Sequence, residues 1–566
     1  MTKFPKKFHI VSKTLKIIDK TAEISYYIHI DYIRTVLHMR RFLSVILAVA
    51  TVFCLILSFP ATAADRTVGD INLDGRINGS DALLLKKLIT GTYTVDDERV
   101  ADLNGDGRIN GSDSLLLKKV IGGTYNPPVI SDGNNVSLAD YTVIYPANAS
   151  EYELYAVEIL CRRLSDMYGI TVASADDATA ETEHEILIGA TSRSESTTDV
   201  TLANNQYMFM RSGEKLVLQG KDYMIGGAVA ALCGAADENG MINLDNVSST
   251  AAASDYAPAC ADSVILMIGD GMGANHITFT NLWAKKSTSW PYNYNGFTAA
   301  KFPASGKCTT LSITDLGSDG NFSTAVTDSA AAATALATGW KTQNGKLGIN
   351  GFGTSVKNIR ELAAEKGLAT AVLSTEATTG ATPSGFTVHN ISRQNKDEIA
   401  AAQQELTDSG SITYLKGDMP GEHDLLSETK TALTAISSGT DGFFAMIEEA
   451  YIDKACDISY GSGYTKNDIA MFVSRFDEAI KYAATFCASR PGTVLIVTAD
   501  HETGALSAAG EVTNNGKHTD LQVPVYAMGY GTEIFNGTVC DNSDIARFMA
   551  SVYGESSFGG DYSNMN

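Results

Sequence analysis

The sequence predicts an α/β protein whose largest part is a three-layer α/β/α sandwich around a largely parallel sheet, preceded by a small α/β domain and a small all-α unit. Three observations predict it. From Ser263 onward, short apolar strands alternate with helical segments, the pattern of buried parallel strands joined by crossover helices. Between Tyr141 and Gly220 the same alternation appears on a smaller scale. Between Asp70 and Gly123 the chain repeats itself at an offset of 32 residues, a polar loop running into an apolar helix each time.

At 566 residues, 44% hydrophobic and 19% charged, the chain can bury several cores. Its net charge of −22, with no Lys/Arg stripe, excludes a nucleic-acid partner and disfavours adsorption to a membrane. Met39-Arg40-Arg41, the apolar run Phe42 to Phe59 and the small residues up to Ala64 have the parts of a secretory signal peptide, assigned to residues 39–63 with cleavage after Ala63. The same 18-residue run is also long enough to remain as an anchor. Residues 1–38, upstream of it, are given no fold. Removing residues 1–63 leaves 34 basic against 62 acidic residues, a net charge of −28. A secreted, extracellular protein with seven remaining cysteines is expected, and an odd number leaves at least one thiol outside any internal disulfide.

In the first repeat Asp70, Asn72, Asp74, Asn78 and Asp81 take loop positions 1, 3, 5, 9 and 12, with Gly75 at the sharp turn and Arg76 supplying a backbone carbonyl. Asp102, Asn104, Asp106, Arg108, Asn110 and Asp113 repeat the set. Alternating oxygen donors around a tight turn suit a hard cation taking roughly six to eight oxygens, so two Ca2+ are expected. Asp in place of Glu at position 12, a helix only after the loop, and the tandem arrangement resemble a dockerin domain, here residues 65–125. The resemblance implies a cohesin partner on a scaffoldin or cell-surface protein, as in a cellulosome, with Gly79-Ser80 and Gly111-Ser112 helping to choose it. A structural calcium clip is the alternative.

A linker is read over 126–138 and a small accessory α/β domain over 139–250. Its YPANASEYELYAVEIL and EILIGATSR segments resemble the small α/β domain that precedes the barrel in some secreted glycoside hydrolases. His184, Glu151 and Glu153 are read as solvated residues.

Over 260–555, VILMIG, LATAVLS, FFAMI, VLIVTA and VPVYAMG are strands, and sites in such sheets form beyond the strands' carboxyl ends. Asp270, Glu448, Asp500 and His501 fall there. Asp270 opens the turn D-G-M-G-A-N, where glycines let backbone approach a bound group. In TDSAAAATALATG, Ser329 stands at the start of a helix of small residues, where N–H groups and the helix dipole favour a phosphoryl group. TADHETGAL gives adjacent carboxylate and imidazole donors, a set suited to zinc, and KHTDLQVPVYAMG places His518 before another strand.

With FFAMIEEAYIDKACD, these motifs in this order resemble the alkaline phosphatase family. The resemblance implies one zinc-type site of Asp270, Ser329, Asp500 and His501, a second with Asp453 and His518, and a magnesium-type site of Asp270, Thr382 and Glu448. It makes Ser329 the nucleophile forming a phosphoserine intermediate, Arg393 the bidentate phosphate clamp, Asp328 its orienting partner and Lys454 a phosphate contact through water. Two departures stand out. Asp457 takes the place of a histidine at the second site, which makes that donor set harder and its metal less certain. Gly380 takes the place of a side chain near the third, which leaves more room for water. Phosphomonoesters are the implied substrates. A phosphodiesterase or sulfatase of the same superfamily, and a non-catalytic phosphate-binding surface protein, stay open as alternatives, as does a homodimer.

Overall fold

The computed structural model describes residues 66–562, apart from 96–97, 104–108, 122–128, 131–133, 287–289, 319, 440–441, 458–462 and 561. Residues 1–38, the signal-like segment 39–63, the loop residues Asn104, Asp106 and Arg108, and much of the expected linker lie outside the described residues. Among the described residues no helix is long and apolar enough to cross a membrane. The chain divides into two compact units, 1–133 and 134–566.

In the first unit each repeat contributes an 11-residue helix, α1 (Gly79–Ile89) and α2 (Gly111–Ile121). Asp70 closes the first loop, Oδ1 accepting from Asp74 N (3.1 Å) and Oδ2 from Gly75 N (2.8 Å). Gly75 sits at φ +80°, a turn that a β-carbon would strain. The two position-12 aspartates are buried and bonded alike. Asp81 accepts from Ile71 N and Asn78 N, and Asp113 from Leu103 N and Asn110 N, at 2.8–2.9 Å. Ile71, Leu85, Leu103 and Leu117 form the shared core, so neither repeat has a core of its own.

The second unit contains two sheets. The larger comprises β1 (Ser263–Gly269), β2 (Ala304–Thr309), β3 (Ala369–Ser374), β4 (Tyr414–Lys416), β5 (Phe443–Glu449), β6 (Thr493–Thr498), β7 (Val523–Met528) and β8 (Val539–Asp541). Its order is β4-β3-β5-β1-β6-β7-β2-β8, and only β7 runs against its neighbours. The central strands β1, β5 and β6 are buried along their whole length, as their unbroken apolar runs require. The expected α/β sandwich is therefore the observed architecture.

The smaller sheet has six strands between Thr142 and Asp255. Its helices α3 (Glu151–Tyr168) and α4 (Ile225–Ala235) pack on the long helix Lys466–Ser489 that also packs on the larger sheet. A Cβ at Gly226 would lie 2.2 Å from Thr485 O, so glycine lets the two helix backbones meet. Lys481 Nζ reaches Glu151 Oε2 at 2.7 Å across the same junction. Residues 139–250, read from sequence as a separate accessory domain, thus share one apolar core with the larger sheet. Glu151, read as solvated, is part of that seam. Asn135–Ser137, read as linker, is a strand paired with Met241–Asn243, which satisfies its backbone.

Candidate active site

Four neighbouring strands end in polar residues on one edge of the larger sheet. Thr375-Glu376 follow β3, Glu448-Glu449 finish β5, Asp270 follows β1, and Asp500-His501 follow β6. A sheet of mostly parallel strands gathers its strand ends there, and that positions the site.

Ser329 is the first residue of α5 (Ser329–Thr338), all ten residues of which are buried. The alanine run serves packing: a Cβ at Gly385 would lie 2.7 Å from Ala333 Cβ, so the short helix Ala381–Gly385 carrying Thr382 lies tight against α5. Asp328 caps the helix, accepting from Ala331 N at 3.0 Å, and also holds Arg393 Nη1 at 3.1 Å and Gly345 N at 3.0 Å. Arg393 is thereby tied to the residue that caps the helix opening at Ser329.

Ser329 Oγ faces His501 Nε2 at 3.2 Å. That nitrogen also stands 3.5 Å from Asp270 Oδ1 and 3.2 Å from Asp500 Oδ2. Donor atoms of Asp270, Asp500 and His501 all lie within 4.8 Å of one another, and so do those of Asp453, His501 and His518. Thr503 gives its hydroxyl hydrogen to Asp453 Oδ1, so its oxygen, 3.2 Å from His501 Nδ1, must accept from that nitrogen. His518 Nδ1 donates to Thr327 O at 2.9 Å. Both Nε2 atoms therefore turn towards the carboxylates, the orientation a metal-binding histidine needs. The two rings stack with centroids 3.6 Å apart.

The donor set fits divalent metal ions on a direct observation. Asp270 Oδ1, Asp500 Oδ2, Glu448 Oε1 and Thr382 Oγ1 are buried without a hydrogen-bond partner of proper geometry. Buried oxygens left this way carry a large desolvation penalty, which a bound cation removes. The titration behaviour agrees. Burial, then the Asp500 charge, pushes the Asp270 carboxyl well above the ordinary carboxylate range. Burial raises Asp500 to about 7 despite bonds from Gly271 N and His501 N. Burial, then the Glu376 charge, raises Glu448.

Asp453 behaves oppositely. Burial would raise it, but His518 and the His501 charge hold it at about 2, while Asp453 lifts His518 to about 9 against its own burial. Asp453 is in the short helix α6 (Tyr451–Cys456), and Asp457 N donates to Asp453 O at 2.8 Å. The backbone then leaves the helix at Asp457 (φ −80°, ψ 110°), and Asp457 is not among the donors that close on one another. The helix that carries Asp453 thus ends one residue before Asp457.

Lys454 Nζ pairs with Glu376 Oε2 at 2.7 Å. Glu376, His276 and Thr503 are the site residues that motif reading passed over. His276 is fully buried, its Nδ1 accepting from Gly273 N at 3.1 Å and its Nε2 3.3 Å from Cys456 Sγ. Cys456 is thus engaged with His276, and burial raises its thiol.

Residues 261–420 and 408–516 match the family model described as alkaline phosphatase, and residues 68–122 match the dockerin type I domain. The chain carries an alkaline phosphatase family domain and a dockerin type I domain. Alkaline phosphatase 3 of Bacillus subtilis (strain 168) is 27% identical over 282 residues, covering 40% of this chain and 58% of that protein. The alkaline phosphatase of Escherichia coli (strain K12) is 35% identical over 159 residues, covering 27% of this chain and 32% of that protein. The solved alkaline phosphatase from the Antarctic bacterium TAB5 is 26% identical with a TM-score of 0.43, covering 52% of this chain and 99% of that one. The chain spans 58% and 32% of the length of these two curated alkaline phosphatases.

Proposed function

We propose that this protein is a secreted, metal-dependent phosphomonoester hydrolase that works through a phosphoserine at Ser329, held on a cohesin-bearing scaffold by its dockerin. The observation that carries the reading is Ser329 at a helix N-terminus, facing His501 Nε2 beside Asp270 and Asp500, each buried with one oxygen that no well-formed hydrogen bond satisfies. Asp270, Asp500 and His501 would hold one zinc-type ion, Asp453 and His518 a second, and Asp270, Thr382 and Glu448 a magnesium-type ion. Bound there, such ions would acidify the serine hydroxyl and a water and neutralise charge on the leaving oxygen.

The chain's own residues do the rest. The α5 N-terminus and the Arg393 guanidinium receive the phosphoryl oxygens, Arg393 in a two-pronged grip that Asp328 keeps aimed. Ser329 Oγ attacks phosphorus as the ester P–O bond opposite it breaks, the serine gives up its proton, and the alcohol leaves protonated. Water entering from the vacated side then cleaves the Ser329–phosphate bond, returning the hydroxyl and releasing inorganic phosphate. Thr503 and Thr327 O, by fixing the Nδ1 side of each histidine, keep both Nε2 atoms on the reaction side.

The N-terminal unit would bind two Ca2+ through Asp70, Asn72, Asp74, Asn78, Asp81 and their counterparts, and present α1 and α2 to a cohesin. The test is hydrolysis of a chromogenic monoester with Zn2+ and Mg2+ supplied. The reading expects activity that chelation abolishes, that Ser329→Ala removes, and that exceeds activity on a diester or a sulfate ester. Faster diester or sulfate cleavage reassigns the substrate class, and no cleavage of any ester leaves a phosphate-binding surface protein. Calcium-dependent capture by cohesin domains checks the docking half.

A further inference from the structure

Gly380 has no side chain, yet the space beside it is filled. A Cβ there would lie 1.8 Å from Glu376 Oε1 and 2.3 Å from its carboxyl carbon. Glu376 stands on the turn that follows β3, and the turn is built to hold it. Its N–H donates to Ser374 Oγ at 3.1 Å, and Ser374 in turn donates to Glu448 Oε2. Its carbonyl accepts from Asp418 N at 2.8 Å. A Cβ at Gly417 would lie 2.6 Å from both Glu376 O and Thr378 N, so a second glycine lets the neighbouring segment close on the turn. One carboxylate oxygen, Oε2, is held by Lys454 at 2.7 Å, which leaves Oε1 on the Gly380 side.

The residues assigned to the third site keep donor capacity: Thr382, two residues beyond Gly380, and Glu448 are fully buried, and no hydrogen bond of proper geometry reaches Thr382 Oγ1, Glu448 Oε1 or Asp270 Oδ1. The Glu376 charge acts on both Glu448 and Asp270, and the Lys454 ammonium feels all three carboxylates. An all-oxygen group with excess negative charge suits Mg2+ or Mn2+.

We propose that Glu376 supplies the third site with a carboxylate that residue 380 does not have, and that Gly380 is glycine because Glu376 occupies its side-chain volume. The inference rests on reading Asp270, Thr382 and Glu448 as that site. The departure at Gly380 then leaves the site with a carboxylate from a different point of the backbone, held in place by Lys454, in the room that sequence reading gave to water.

The test is Mn2+ binding to the full chain with Ca2+ present, followed by electron paramagnetic resonance, with thermal midpoints to check folding. Thr382→Val identifies the third-site equivalent as the one it removes. Glu376→Gln is expected to weaken that same equivalent on the order of 100-fold, as loss of a supporting or direct ligand does. Gly380→Asp alone is expected to disrupt it by collision, and Glu376→Ala with Gly380→Asp to restore it. Wild-type binding in Glu376→Gln, at an equivalent that Thr382→Val removes, overturns the role of Glu376 and leaves the proposed function standing. Thr382→Val removing no equivalent overturns both the third site and this inference, while hydrolysis by Ser329 is judged separately by its own assay.

Discussion

The two donor sets that meet at His501 are built on opposite principles. Asp270 and Asp500 are buried with oxygens left unpaired, and their carboxyls are pushed up towards the protonated form. Asp453 is just as buried, but its carboxylate takes the Thr503 hydroxyl and lies 3.4 Å from His518 Nε2, and its pKa falls. The first set keeps buried oxygens that a cation would satisfy; in the second, His518 and Thr503 already give Asp453 its partners. The difference teaches that shared residue types do not make equal sites. The first set should hold its ion tightly, and the second should exchange its ion readily.

The largest effect expected from this contrast is on chemistry. Asp500→Asn should lower monoester hydrolysis by roughly 1,000-fold or more, since in the proposed mechanism it takes a charge from the ion that would stand beside Ser329. Equal loss from Asp457→Asn would break the comparison, because Asp457 stands outside the cluster; its substitution should leave ion affinity at the Asp453/His518 pair essentially unchanged, whereas Asp453→Asn should weaken it about 10- to 100-fold. Titration of zinc into ion-free protein reads both.

Smaller but opposite in sign are the effects on ion-free stability. Asp500→Asn should raise the thermal midpoint at pH 8, because it removes a buried charge whose oxygen has no partner. Asp453→Asn should lower stability by about 1–3 kcal/mol, because it strips partners from Thr503 and His518. The pH dependence separates them further. Asp500 has a folded pKa of about 7, above its ordinary 3.8, so its contribution is present below about 4 and is lost as pH rises through 7. His518, lifted from 6.5 to about 9, contributes below 6.5 and loses that contribution as pH rises through 9. Asp453, lowered from 3.8 to about 2, contributes above 3.8 and loses it as pH falls through 2. Calorimetry of chelated protein across this range should show the pH 4–7 decline diminished in Asp500→Asn and kept in Asp453→Asn.

Much of the larger sheet was legible because parallel strands buried on both faces leave unbroken apolar runs, and Asp270 and Asp500-His501 follow two of them directly. The duplicated loops were legible because each ligand position carries its own side-chain type. Glu376 was not, since nothing local marks a glutamate that fills the space of a glycine four residues on. Asp457, placed at the second site by resemblance alone, lies just past the end of the helix that carries Asp453. The seam between the sheets was hidden as well. Helix Lys466–Ser489 is buried from Val473 to Ser489, with the smaller sheet's helices packed against it.

The most direct test of the central claim is to quench the metal-loaded protein in acid during turnover of a monoester and map covalent phosphate by mass spectrometry. The account predicts one phosphoryl group per chain, on Ser329, absent from Ser329→Ala and from chelated protein. Steady hydrolysis with no phosphate on Ser329, or hydrolysis that survives Ser329→Ala, would contradict it.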